Sequence, residues 1–166
     1  MLSVEDASAS DAKPGKGQVA LKMLFAPLNG LDVDQIEGRS SAKPKLPAVA
    51  GQDGLGEVTA VGAGVKGLSQ GDWVVPTPGS SLGTWTTAPV IAAETHVQSV
   101  RKDIPAEYAS ALGLNASVAY RLLKDFVDLK EGDVIVQNAA NSAIGMAVVQ
   151  IAKAMGVKTI NVVRGR

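Results

Sequence analysis

The residues best suited to chemistry lie in Val134-Ile-Val-Gln-Asn-Ala139-Ala-Asn-Ser142-Ala-Ile-Gly145. A short apolar run gives way to small residues and then to a helical pattern. Backbone N–H groups at a helix start form an anion site, and small side chains let a pyrophosphate approach them. Ala139-x-x-Ser142-x-x-Gly145 has the spacing of a dinucleotide-binding loop, with Ala and Ser replacing two glycines, so the strict glycine fingerprint is not met. The next apolar run ends in Arg164-Gly165-Arg166. NAD-binding units carry an acid near that point, whereas an arginine suits a 2′-phosphate, which a guanidinium grips with two hydrogen bonds. The pattern favours NADPH over NADH. Plainer readings also fit the same residues: an ordinary strand–helix turn, and arginines that only solvate a strand end. The residues alone leave both open.

A β–loop–α–β unit must position this loop. Residues 134–136 read as a strand buried on both faces. Residues 146–154 read as a helix stopped by Gly156, and 159–163 as the next parallel strand. Upstream, Gly and Pro punctuate short β-rich runs at 18–25, 54–62, 73–76, 84–90 and 91–100, the spacing of a small barrel or sandwich. Residues 31–37 allow one helical turn, with Asp32 near its start. Pro105 opens a helix that Asp103 could cap, and 117–126 is a second, with Val118, Leu122 and Phe126 at helical spacing. Tyr108 and Tyr120 fall in these helices and read as packing residues. Asp32 and Asp34 read as caps, and His96 as a surface or strand-end histidine. The expected class is α/β with a β-rich N-terminal part: a polar tail at 1–16, a β-rich part with linking helices at 17–127, and the β–α–β unit at 128–166.

Composition narrows the chemistry. The chain has 166 residues, 16 basic and 16 acidic side chains, one histidine and no cysteine. Without cysteine there are no disulfides, iron–sulfur clusters or thiolate zinc sites, and no metal site is expected. Zero formal charge and 4% aromatic residues argue against nucleic acid as a partner. No apolar run approaches the length needed to span a bilayer. The first residues carry Glu5, Asp6 and Asp11 and do not read as an Arg-rich presequence.

The chain resembles the zinc-free branch of the medium-chain dehydrogenase/reductase superfamily, and within it the mitochondrial trans-2-enoyl-CoA and enoyl-ACP reductases. The resemblance runs from about residue 18 to 166. It rests on Ala26-Pro-Leu-Asn29, Leu46-Pro-Ala-Val49, Gly54-Leu-Gly-Glu-Val58, Gly71-Asp-Trp-Val-Val-Pro76, Gly83-Thr-Trp85, Leu112-Gly-Leu-Asn115, Ala119-Tyr-Arg121 and, above all, Asn138-x-x-Asn141-Ser142-x-x-Gly145. It implies a GroES-like, partly open barrel followed by the start of a Rossmann domain. It further implies NADPH-dependent reduction of 2-enoyl thioesters, carried by CoA or acyl carrier protein, with hydride delivered to C3 and a proton to C2. Mitochondrial location is implied in the same way. By position, Asn29, Trp85 and Asn115 match substrate-cleft residues. Ala139, Asn141, Ser142, Ala143 and Gly145 match the pyrophosphate loop, and Arg164 with Arg166 matches the 2′-phosphate clamp.

Two departures accompany the resemblance. The family places its catalytic tyrosine in a Gly-x-Tyr segment before Leu-Pro-Ala-Val, and here Ser40 stands at that position in Gly38-Arg39-Ser40-Ser41. A serine hydroxyl is shorter than a phenol, and its pKa lies well above the tyrosine value of about 10. Family members also continue well past Arg166. The chain is therefore expected to be a fragment or a short subunit, with an apolar sheet edge covered by a C-terminal half or by a protein partner. Two further functions stay open: a catalytically degenerate structural subunit, and a quinone or enone reductase on the same scaffold.

Overall fold

In the computed structural model, residues 2–5, 13–41 and 43–165 are described. They form two compact units, residues 1–113 and 114–166.

The first unit is built on an antiparallel sheet. Its strands are β1 (Gln18–Phe25), β2 (Leu55–Val61), β3 (Trp73–Pro76), β4 (Val90–Ala93) and β5 (Val97–Val100), in the order β4-β1-β2-β3-β5. β4 and β5 are the two edges, so the sheet is open. Val19 and Leu21 of β1 meet Val58, Val74, Val90, Ala92 and Val97 in the main core. Burying each Val or Leu contributes roughly 1.5–3 kcal/mol. A second cluster joins Leu55, Val75 and Ala109. The β1–β2 register slips between Ala20 and Leu21 and again between Met23 and Phe25, bulges that bend the sheet.

Local rules explain where sequence expectation and structure part. The single strand expected at 91–100 is two strands. A 3₁₀ turn, Glu94–His96, separates them, and the chain crosses there from the edge beside β1 to the edge beside β3. The Glu94 carboxylate fixes the turn by accepting from the Lys66 and Gly67 N–H groups, at 2.9 and 2.6 Å. Those two bonds, Gly67 first, hold the carboxyl below its ordinary pKa. His96 is exposed, as expected. Residues 84–89 form turns rather than a strand. Helix α1 covers Gly30–Ile36. Helix α2 covers only Ala106–Ala109, with Pro105 at its N-cap; Asp103 does not cap it but pairs with Arg101. Leu112–Ala116 then winds as one π-helical turn.

In the second unit, α3 (Ser117–Lys124) packs Ala119 and Leu123 against Val148 and Ala152 of α4 (Ala143–Ala154) and against Val157. Strands β6 (Val134–Gln137) and β7 (Lys158–Asn161) run parallel, pairing Val134 with Lys158 and Gln137 with Asn161. The expectation that β6 is buried on both faces does not hold. Ile135 packs with the α4 cluster, but Val136 on the other face is 68% exposed, beside exposed Val134 and Ile160. A two-stranded sheet with its helix on one side leaves the second face open. Tyr108 and Tyr120 are in helices, as expected, but are 72% and 52% exposed and are not packing residues of these units.

Candidate functional site

In the first unit, three loops are tied into one wall. Asn29 stands at the N-cap of α1. Its N–H donates to Asp32 Oδ2 at 2.8 Å, and the other Asp32 oxygen accepts from the Gln52 N–H at 3.1 Å. Asp32, 1% exposed, thus holds the helix start against the 50–54 segment; the capping role expected for it is met, with a tertiary contact added. The Trp85 N–H donates to the Ala50 carbonyl at 2.9 Å, and the indole Nε1 to the Pro27 carbonyl at 3.5 Å. Gly51 has φ +95°, and a Cβ there would fall on Thr84 Oγ1 and the Trp85 ring, so the indole fits only above a glycine. Trp85 is thus hydrogen-bonded to the segment that leads, two residues on, to Asn29.

Ser40 sits just beyond α1, partly buried, with its N–H donating to the Asp34 carbonyl at 3.0 Å. Arg39 grips the Asp34 carboxylate at 2.7 Å and pairs with Glu37, which fixes the turn that carries Ser40. The bond to Asp34 and the charge of Glu37 raise the Arg39 pKa, so the guanidinium stays charged. Asn115 belongs to the second unit, where it is buried in the π-helical turn.

The loop singled out by its spacing is organised in the second unit as a helix start. Ser142 has extended backbone, and its Oγ accepts from the Gly145 N–H at 3.1 Å, the capping bond that satisfies a first-turn donor. The small side chains of Ala139, Asn141, Ser142 and Ala143 lie on the exposed side of this start, while Gly145 is buried. Ala139 has φ +49°, a left-handed conformation that costs a non-glycine residue about 1–2 kcal/mol. A Cβ on Gly145 would come to 2.7 Å from the Ala139 carbonyl oxygen and 2.7 Å from Ala140 Cα. The helix therefore touches the loop backbone directly, the close approach that the last glycine of a dinucleotide loop provides. Arg164 lies exposed three residues beyond β7, and Arg166 falls outside the described residues.

Sequence reasoning missed Gly51, Gln137 and Asn161. Gly51 gave no signal because the residues it accommodates, Thr84 and Trp85, are far along the chain. The Gln137 Nε2 donates to the Gly145 carbonyl at 3.1 Å and to Asn161 Oδ1 at 2.7 Å. Its signal was its place: the last residue of β6, on the helix-facing side of the alternation.

Residues 15–113 match the alcohol dehydrogenase GroES-like domain. The mitochondrial enoyl-[acyl-carrier-protein] reductase of Rattus norvegicus is 51% identical over 148 residues, which are 89% of this chain and 39% of that protein. The chain thus spans about two-fifths of the curated relatives it matches. Among solved structures, the Etr1p/NADP/crotonyl-CoA complex, of the Candida tropicalis 2-enoyl thioester reductase, superposes with a TM-score of 0.79 at 27% identity, covering 96% of this chain and 49% of that one. Escherichia coli quinone oxidoreductase complexed with NADPH gives 0.81 at 27% identity, covering 93% and 47%.

Proposed function

Because the chain belongs to the alcohol dehydrogenase GroES-like domain family, we propose that it forms the GroES-like part and the first dinucleotide-binding unit of an NADPH-dependent 2-enoyl thioester reductase. The observation that carries the reading is the start of α4, capped by Ser142 and pressed through Gly145 onto the Ala139–Ala140 backbone. A pyrophosphate fits such a start, because the first N–H groups have no partners within the helix and no large side chain stands in front of them. Ala139, Asn141, Ser142, Ala143 and Gly145 hold the pyrophosphate. Arg164 takes the 2′-phosphate, and Arg166 is assigned beside it from its place in sequence. When bound, the nicotinamide supplies a hydride to C3 of the enoyl group.

The chain's own residues bind and orient the acyl thioester. Asn29, Trp85 and Asn115 are assigned to this ligand on their sequence matches. Ser40 is the weak member. It is too short and too weakly acidic to replace a phenol as donor to C2, so in this reading solvent supplies that proton. The thioester carrier is acyl carrier protein or CoA, as in the names of the rat relative and the Etr1p complex. The rat relative is a mitochondrial enzyme by name, and we place this chain in the same compartment. The apolar face of β6 and β7 is assigned to further protein, either a continuation of this polypeptide or a partner.

A quinone reductase shares the fold equally well, but the identity of 51% to the enoyl reductase against 27% to the quinone enzyme favours the thioester. A degenerate structural subunit rests on Ser40 and on the part of the relatives' dinucleotide domain that this chain does not span. Following NADPH oxidation with crotonyl-CoA and with a benzoquinone separates all three. Turnover of the thioester supports the reading; turnover of the quinone alone overturns its substrate, and oxidation with neither overturns its catalysis.

A further inference from the structure

Where β6 ends, one side chain joins three elements. Gln137 is the last residue of β6 and the register partner of Asn161, the last residue of β7. Its amide nitrogen has two hydrogens and uses both, one on the Gly145 carbonyl in the first turn of α4 (3.1 Å), the other on Asn161 Oδ1 (2.7 Å). Asn161 Nδ2 in turn donates to Thr159 Oγ1 at 3.0 Å. The Gly145 carbonyl can only accept, so the reverse orientation of the Gln137 amide would set oxygen against oxygen there, and Asn161 and Thr159 follow the direction it sets. The direction of the network is thereby fixed.

We infer that Gln137 is a positioning residue for the pyrophosphate loop, acting through Gly145 and Asn161. This rests on the NADPH reading given above. Across the loop itself, the backbone is tied by the Ser142 N–H to the Ala139 carbonyl at 2.9 Å and by the Ala140 N–H to the Val162 carbonyl at a long 3.4 Å, while the Val162 N–H returns to the Gln137 carbonyl at 2.9 Å. An anion site made of N–H groups works only while those groups keep a common aim, and a displacement near an ångström forfeits much of a hydrogen bond. The Gln137 amide holds the first turn of α4 at a set height above both strand ends. Gly145, already against the Ala139 carbonyl, stops it from moving closer. The bridge pulls and the contact resists, so the helix start has one seat. Gln137 makes no contact with the cofactor in this account; its effect is confined to groups that meet the pyrophosphate.

The test is equilibrium titration of the full chain with NADPH and, separately, with adenosine 2′-monophosphate, which carries the 2′-phosphate but no pyrophosphate. Gln137→Leu and Asn161→Leu should each weaken NADPH about tenfold, the loss of roughly one well-placed hydrogen bond to a charged group. The double variant should be no weaker than the worse single one. Affinity for adenosine 2′-monophosphate should stay within twofold. A general loosening of the unit would weaken both ligands alike, and that result overturns the inference, as does unchanged NADPH affinity. If Gln137→Leu does not fold, Asn161→Ala, at an exposed position, carries the same expectation. A native chain that binds neither ligand refutes the NADPH reading itself and the inference with it.

Discussion

Gly145→Ala tests the loop by the smallest possible change. The new methyl group would stand 2.7 Å from the Ala139 carbonyl oxygen and from Ala140 Cα, and 2.8 Å from the Ala140 carbonyl carbon. All three are backbone atoms and cannot rotate away, so the loop or the helix must shift by several tenths of an ångström. Overpacking of this kind costs about 1–3 kcal/mol. Alanine recovers up to about 1 kcal/mol of helix propensity; with a clash in the middle of that range and half of that gain, the net loss is about 1.5 kcal/mol. For a unit of this size that lowers the melting temperature by roughly 6–12 °C. The control is Gly30→Ala: a Cβ there meets nothing within 4 Å, and the change should be neutral or slightly stabilising. Thermal unfolding followed by circular dichroism reads the stability, and NADPH titration reads the site. NADPH affinity should fall with Gly145→Ala and not with Gly30→Ala. A melting temperature for Gly145→Ala at or above that of the native chain would refute the claim that helix and loop are in backbone contact.

Other outcomes follow from single groups. Arg164→Ala should weaken NADPH by about tenfold or more and leave NADH nearly unchanged, since a charged hydrogen-bonded pair contributes about 1.5–3 kcal/mol; equal weakening of both cofactors, by titration, would remove the clamp assignment. Ser40→Tyr should raise thioester turnover, because it restores a phenol at the position from which the relatives' tyrosine is expected to act; steady-state rates with crotonyl-CoA decide it, and no gain means that the missing acid does not limit the reaction. Glu94 should give a pH signature. Its folded pKa lies below the unfolded value of about 4.3, so its stabilisation is complete above that value and is lost as pH falls through the lower, folded one. Exchange protection of the Lys66 and Gly67 amides should vanish over that acid range, and in Glu94→Ala it should be weak at every pH.

Sequence pattern carried furthest where one local rule acts alone. Trp73–Pro76 came out with its bounds intact, since three apolar residues between a Gly-Asp turn and a closing proline allow little else. Helix α4 begins at Ala143 and not at 146. Its small first residues read as loop, and only the Ser142 cap shows that they are wound. The break at 94–96 was hidden because the cause lies at Lys66 and Gly67, far along the chain. The nucleotide loop was legible from spacing, whereas the wall around Trp85 was not, because Gly51, Pro27 and Asp32 meet only after folding. Burial was misjudged for Val134 and Val136, which alternate with Ile135 onto the face of the two-stranded sheet that lies away from the α4 cluster.

The order of strands in the first sheet also sets a timetable for the growing chain. β1 is made first, yet it lies inside the sheet. Gln18 pairs with Ala93, and Val19 pairs with Val61 on one side and Ala92 on the other. Local contacts cannot complete this strand, and pairings so distant in sequence fold slowly. From the emergence of β2 until Val90–Ala93 appears, β1 has one open edge, and Val19 and Leu21 still lack Val90 and Ala92 above them. For that interval the nascent chain presents an unpaired apolar strand, the kind of edge that recruits other chains. Synthesis of four residues, Val90 to Ala93, closes it.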